Sequence, residues 1–265
     1  MTTLQIHIEG IGLYGPGLTG WSHARELLRA SAPIEIAPIK LPAPEALPPA
    51  ERRRVGLALK LAMAAGFEAV AQAQADAAGL AAVFSSTAGD CDNCHLILEA
   101  LASPDRTVSP TRFHNSVHNM PAGYWSIATK CMAPTTSLCA YDATFAAGLL
   151  EAACQINSTQ SPCLLVAYDT AYPEPLHACR PIPHAFGVAM VLSPNRTANS
   201  LYTLSLALSD AAPSVLSNDD LERLRTSVPA ARSLPLLRAL ARNENATVVI
   251  DYLDDLTLGL EVSPC

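Results

Sequence analysis

The sequence predicts an α/β protein in which helices cover both faces of a sheet. Three observations lead there. Short β-rich runs alternate with helical stretches along most of the chain, the pattern of parallel crossover units. Half of the residues are hydrophobic and only 15% are charged, far from the polar composition of a disordered chain. A length of 265 residues is enough to bury a large core. With no domain-scale linker and no short-period repeat, residues 1–265 read as one domain.

The elements follow in order. Residues 4–13 are β-rich and run into Gly12, Gly15, Pro16 and Gly17, a strand entering a glycine-punctuated turn. Residues 21–30 suit a short helix. Pro33, Pro38, Pro42, Pro44, Pro48 and Pro49 leave the stretch 34–49 as an extended connector. From 51 to 78, Val55, Leu59, Ala62, Met63, Phe67 and Val70 recur at helical spacing, and Gly79 is the expected stop. A buried strand is expected at 80–85, helices at 93–102 and 120–129, and a strand at 135–140. An Ala-rich helix over 142–156 and a strand at 163–167 come next. The final third reads as strands at 186–192 and 201–208, one or two helices over 221–242, and a last strand at 247–252.

Composition excludes several roles. A net charge of −7 argues against nonspecific nucleic-acid binding, which needs many phosphate-neutralising cations. Glu68, Gln72 and Asp76 interrupt the Ala-rich segment, so no apolar stretch is long enough to span a bilayer. The start Met1-Thr2-Thr3-Leu4-Gln5-Ile6-His7 has no basic region ahead of an apolar core, and a cytoplasmic location is expected. The eight cysteines read as reduced thiols packed as small apolar residues. Cys91-Asp92-Asn93-Cys94-His95 has haem-attachment spacing, but a helix start capped by Asp92 or Asn93 is the expected role. No metal or cofactor is expected, and neither is a metal site at His114 and His118.

Residues 109–153 carry a more specific signal. Ser109-Pro110, Asn119-Met120, Ala122-Gly123, Ser126-Ile127 and Ala133-Pro134 align without a gap, and the segment resembles the middle of β-ketoacyl-acyl carrier protein synthases. Cys163-Leu164-Leu165-Val166-Ala167 and Phe186-Gly187-Val188-Ala189-Met190-Val191-Leu192 resemble later strands of that family. The resemblance covers roughly residues 1–200. It implies a thiolase-like layered fold, a mixed sheet with helices on both faces, and a shortened second half.

In the resembled family a cysteine at a strand-to-helix turn, its thiolate favoured by the helix N-terminus, takes the acyl group, and two later histidines serve the decarboxylative condensation. Carried across without a gap, that cysteine falls on Asp142, and no histidine follows His184. A carboxylate is a poor acyl acceptor, and the expected role of Asp142 is to cap the helix. Cys139, three positions earlier, is expected to be a packing residue inside the strand. The pattern resembles chain-length-factor subunits, which lack the cysteine and pair with an active synthase; residues 136–152 resemble the short ketosynthase-like proteins of aryl polyene pathways.

On that resemblance the expected partner is a Cys-containing ketosynthase, with an acyl carrier protein as a further partner; Arg52, Arg53 and Arg54 suit contact with an acidic carrier protein, but a solvated helix start is their expected role. Val117, with Phe113 and Met120, is the expected acyl-tunnel lining. Thr135, Thr136, Ser137, Leu138 and Cys139, with Tyr124 and Trp125, are the expected interface. The competing reading is a stand-alone acyltransferase or thioesterase built on Asp142, His114 or Cys139.

Overall fold

The computed structural model describes residues 3–30 and 34–265; Pro33, at the head of the expected connector, lies outside them. The chain order begins with β1 (Leu4–Gly15), β2 (Leu18–Thr19), α1 (Trp21–Ala30), α2 (Pro49–Arg52), α3 (Leu57–Ala73) and β3 (Ala81–Ser85). Next come α4 (Cys91–Ala102), α5 (Pro110–His114), α6 (Met120–Thr129), β4 (Thr135–Leu138), α7 (Thr144–Thr159), β5 (Cys163–Asp169) and α8 (Leu176–Cys179). The remainder is β6 (Phe186–Ser193), β7 (Tyr202–Ser209), α9 (Asp219–Ser227), α10 (Leu234–Arg242), β8 (Ala246–Leu253) and β9 (Leu256–Pro264).

The described strands form one mixed sheet in the order β4-β3-β5-β6-β1-β7-β9-β8, with β2 paired on β1. β3 runs parallel to β4 and β5, and the other pairings are antiparallel. One face packs on α1, α7 and α10, the other on α3 and α6. Layers on both sides explain why β5 and β6 are buried at every position and read as continuous apolar runs.

β1 shows how the sequence keeps its two faces apart. Ile6 and Ile8 face the α7 and α10 side, and a register shift between Ile8 and Gly10 inserts one residue before Ile11 and Leu13 resume on that same side. Gly10 and Gly12 thereby turn toward α3. A Cβ at Gly10 would lie 2.1 Å from the Ala69 carbonyl oxygen, and one at Gly12 would lie 2.0 Å from that of Ala65. Only glycines opposite an Ala-rich helix allow backbones this close. Gln72 and Glu68 of α3 then take the Ile11 and Leu13 amides at 2.6 and 2.9 Å, and Glu68 also takes the Trp21 amide at the start of α1.

Several boundaries differ from expectation. The helix expected over 51–78 is two: α2 ends before Gly56, and α3 ends where Gln74 adopts the left-handed conformation at φ 54°, five residues before Gly79. Asp76 then caps a short 3₁₀ turn by accepting from the Ala78 amide. The strand at 135–140 stops at Leu138 and the following helix starts at Thr144, because residues 141–143 form a 3₁₀ turn. β9, which sequence reading missed, pairs with β7 and β8 and carries Leu258, Leu260 and Val262 into the core. No helix among the described residues is long and apolar enough to cross a membrane.

The candidate elbow site and the partner-facing edge

The turn from β4 into α7 is fastened by its own residues. Thr144 Oγ1 donates to the Tyr141 carbonyl at 2.6 Å and accepts from the Ala140 amide at 3.2 Å. Tyr141 sits at φ 53°, a conformation that costs a non-glycine residue about 1 kcal/mol. The Arg180 guanidinium lies 3.7 Å over its ring and holds it there.

Asp142 does not cap α7, whose N-terminus has no side-chain cap bond. Instead its Oδ1 accepts from Arg180 Nη2 at 2.5 Å and its Oδ2 pairs with Arg232 Nη2 at 3.1 Å. Arg180 also donates to Thr87 Oγ1 at 2.9 Å and Tyr172 OH at 3.1 Å. Burial works against the charge on Arg180, but the bond to Asp142 and neighbouring oxygens hold it firmly protonated. Arg232 reaches toward Asp251, which in turn accepts from Arg225 at 2.6 Å, and Arg225 is paired with Glu222. The network borders a cleft of about 580 Å³ lined by Tyr141, Asp142, Arg232, Asp251, Tyr252 and Asp254 among others.

Beneath the elbow, Asp169 at the end of β5 ties three segments together. Its Oδ1 accepts from the Thr87 amide and Ser86 Oγ, and its Oδ2 from the Ala230 amide. Complete burial pushes its carboxyl up to about 7, while those three donors pull the other way.

Cys139 follows the last residue of β4 and is exposed, not packed inside the strand as expected. Cys154, Cys179 and Cys265 are exposed too, so half of the thiols are not packing residues. Asp90 caps α4 by accepting from the Asn93 amide, in place of Asp92 or Asn93. Burial raises the Cys91 thiol to about 11, which disfavours the thiolate a metal would need.

The expected tunnel and interface residues separate into two groups. Val117 and Met120 border a groove of about 200 Å³ with His114, Gly123 and Ile127. Val117 is 54% exposed, Phe113 70% and Met132 94%, so apolar surface faces outward along 113–132. Thr135, Thr136, Ser137 and Leu138 form β4, an edge of the sheet with only β3 beside it among the described residues.

Tyr124 and Trp125 are turned inward, contrary to expectation. Trp125 is fully buried against Phe67, ring centroids 4.7 Å apart, and Tyr124 OH lies 3.1 Å from Glu51 Oε2. Trp125 belongs to the chain's own core, whereas the largely buried Tyr124 forms part of the wall of the groove beside Val117 and Met120. Sequence reading missed Arg180, Arg232 and Tyr141, because long-range pairing to Asp142 leaves no spacing signal.

A family model described as the N-terminal domain of β-ketoacyl synthases matches residues 21–253. The chain belongs to this family. Among solved structures, the β-ketoacyl synthase family member described here is similar to a chain of the ketosynthase ApeO in complex with its chain length factor ApeC from Xenorhabdus doucetiae. The two share 24% identity with a TM-score of 0.74, over 97% of this chain and 99% of that one. It is similar to the ishigamide ketosynthase/chain length factor at 13% identity and a TM-score of 0.75, over 98% and 99% of the two chains. A type II polyketide structure of AntDE with the acyl-carrier protein AntF matches at 12% identity and a TM-score of 0.75, over all of both chains. Likeness at these identities shows the thiolase-like ketosynthase fold. No curated protein matches the sequence.

Proposed function

We propose that the chain is a non-catalytic, chain-length-factor-like subunit that pairs with a Cys-containing ketosynthase and shapes its acyl tunnel, in polyketide-type biosynthesis of the aryl polyene kind. The observation that carries this reading is Asp142. On the sequence resemblance it falls where the family has its nucleophile, and both of its oxygens are engaged by guanidiniums, which lowers the nucleophilicity of a carboxylate already poor at accepting acyl groups.

The open edge of β4 and the apolar surface along 113–132 support a partner on that side. Ketosynthase/chain-length-factor pairing in the similar structures supports the kind of partner. An acyl carrier protein is a further partner; Arg53 and Arg54 are exposed and offer charge to its acidic surface, whereas Arg52 donates to the Leu47 carbonyl at 2.8 Å.

Val117 tests the tunnel. Its exposure leaves room for a larger side chain, so Val117→Phe should cost the isolated chain less than about 1 kcal/mol, below the range for overpacked cores. In the assembled complex the same substitution should shorten the products or slow turnover. Product analysis by mass spectrometry checks this, and an unchanged profile from a complex that assembles removes Val117 from the tunnel.

A further inference from the structure

Asp142 behaves as the occupant of a site made by other residues. Each of its oxygens meets a different guanidinium, Arg180 at 2.5 Å and Arg232 at 3.1 Å. Arg180 has several partners besides Asp142, and Arg232 has a second, longer contact. Arg180 is fixed by Thr87, Tyr172 and the ring of Tyr141, and Arg232 stands 3.8 Å from Asp251. The arginine side chains are 20% and 19% exposed, while that of Asp142 is 42% exposed on the wall of the cleft. The occupant therefore faces solvent and its holders do not. Asp251, the other carboxylate near Arg232, is balanced by Arg225 at 2.6 Å.

Two guanidiniums around one carboxylate are the arrangement that recognises that group through charge-assisted bonds. We infer that Arg180 and Arg232 form a carboxylate-binding clamp at the wall of the cleft, which Arg232 and Asp142 line and which the chain's own Asp142 keeps occupied. The ligand class is a monocarboxylate, such as the free carboxylate end of an acyl group brought to the cleft, and Asp142 is a built-in plug that excludes it. Binding at the clamp is non-covalent and requires no partner subunit.

The test is thermal unfolding of Asp142→Ala at pH 7 in sodium acetate and in sodium chloride at equal ionic strength. In chloride the midpoint should fall by several degrees. Acetate should recover at least half of that loss, saturably, and should have no specific effect on the native protein. If the variant does not fold in chloride, recovery of folded protein in acetate is the equivalent readout, with Asp142→Asn, which keeps the side-chain shape, measured alongside. Adding Arg180→Met should remove the acetate effect. Equal behaviour in acetate and chloride for both Asp142 variants, or rescue that survives Arg180→Met, overturns the clamp.

Discussion

Ser137→Pro should abolish pairing with the ketosynthase partner while leaving the chain folded. The backbone groups of β4 point alternately toward β3 and toward the open edge. The Pro134 carbonyl accepts from the Ala82 amide and the Leu138 carbonyl from the Ser86 amide, so residues 134 and 138 turn their polar groups toward β3. Alternation along a strand puts Thr136 with them and leaves the Thr135 and Ser137 amides facing the open edge. Proline at 137 removes one outward donor and crowds the edge with its ring, but takes nothing from the β3 ladder.

Stability of the isolated chain should change by no more than about 1 kcal/mol, the scale of strand-propensity effects, as read by urea unfolding. Activity of the co-expressed complex should fall by more than about tenfold, which corresponds to 1.4 kcal/mol. Leu138→Lys is a less clean probe, because Leu138 packs against the chain's own core. Full assembly of the Ser137→Pro chain with a synthase would remove β4 from the interface.

Gly12→Ala should have the largest effect on stability. The new Cβ would meet the Ala65 carbonyl oxygen at 2.0 Å, and the obstacle is helix backbone, which has no rotamer to yield. Relief requires α3 to lift from β1, which would also stretch the Gln72 and Glu68 bonds to the Ile11 and Leu13 amides. Overpacking usually costs about 1–3 kcal/mol, and this position should reach or exceed the top of that range. Against a total stability of about 5–15 kcal/mol, much of the protein should be insoluble or unfold early in urea. A loss below about 1 kcal/mol would mean that the strand and helix are less tightly opposed than described.

The sheet was legible where burial makes a continuous apolar run, as at residues 163–167 and 186–192. It was legible too where glycine punctuates a strand, as after Leu13. Residues 256–264 also alternate, with Leu258, Leu260 and Val262 inward, but a second strand so soon after residues 247–252 needed the Asp254-Asp255 turn to be read as a hairpin. The long helix was overextended because Ala-rich segments satisfy helical spacing on every face. Only the αL turn at Gln74 ends it, and glutamine carries no stop signal.

At the site, the sequence resemblance singled out Asp142 but not its chemistry. A carboxylate beside a helix start reads as a cap, whereas pairing with Arg180 and Arg232, 38 and 90 positions away, depends on tertiary contacts. Tyr124 and Trp125 misled for a related reason. Aromatic residues beside an apolar segment suit an interface or a core equally, and Gly66, whose Cβ would lie 2.9 Å from the Trp125 ring, provides the space inside.

Where an acyl group attaches separates a partner subunit from a catalyst. The direct measurement is intact-mass spectrometry of the complex between this chain and a Cys-containing ketosynthase after incubation with an acyl thioester. The adduct should appear on the partner alone, with this chain at its unmodified mass. An acyl group carried by this chain, on Asp142 or on Cys139, would contradict it.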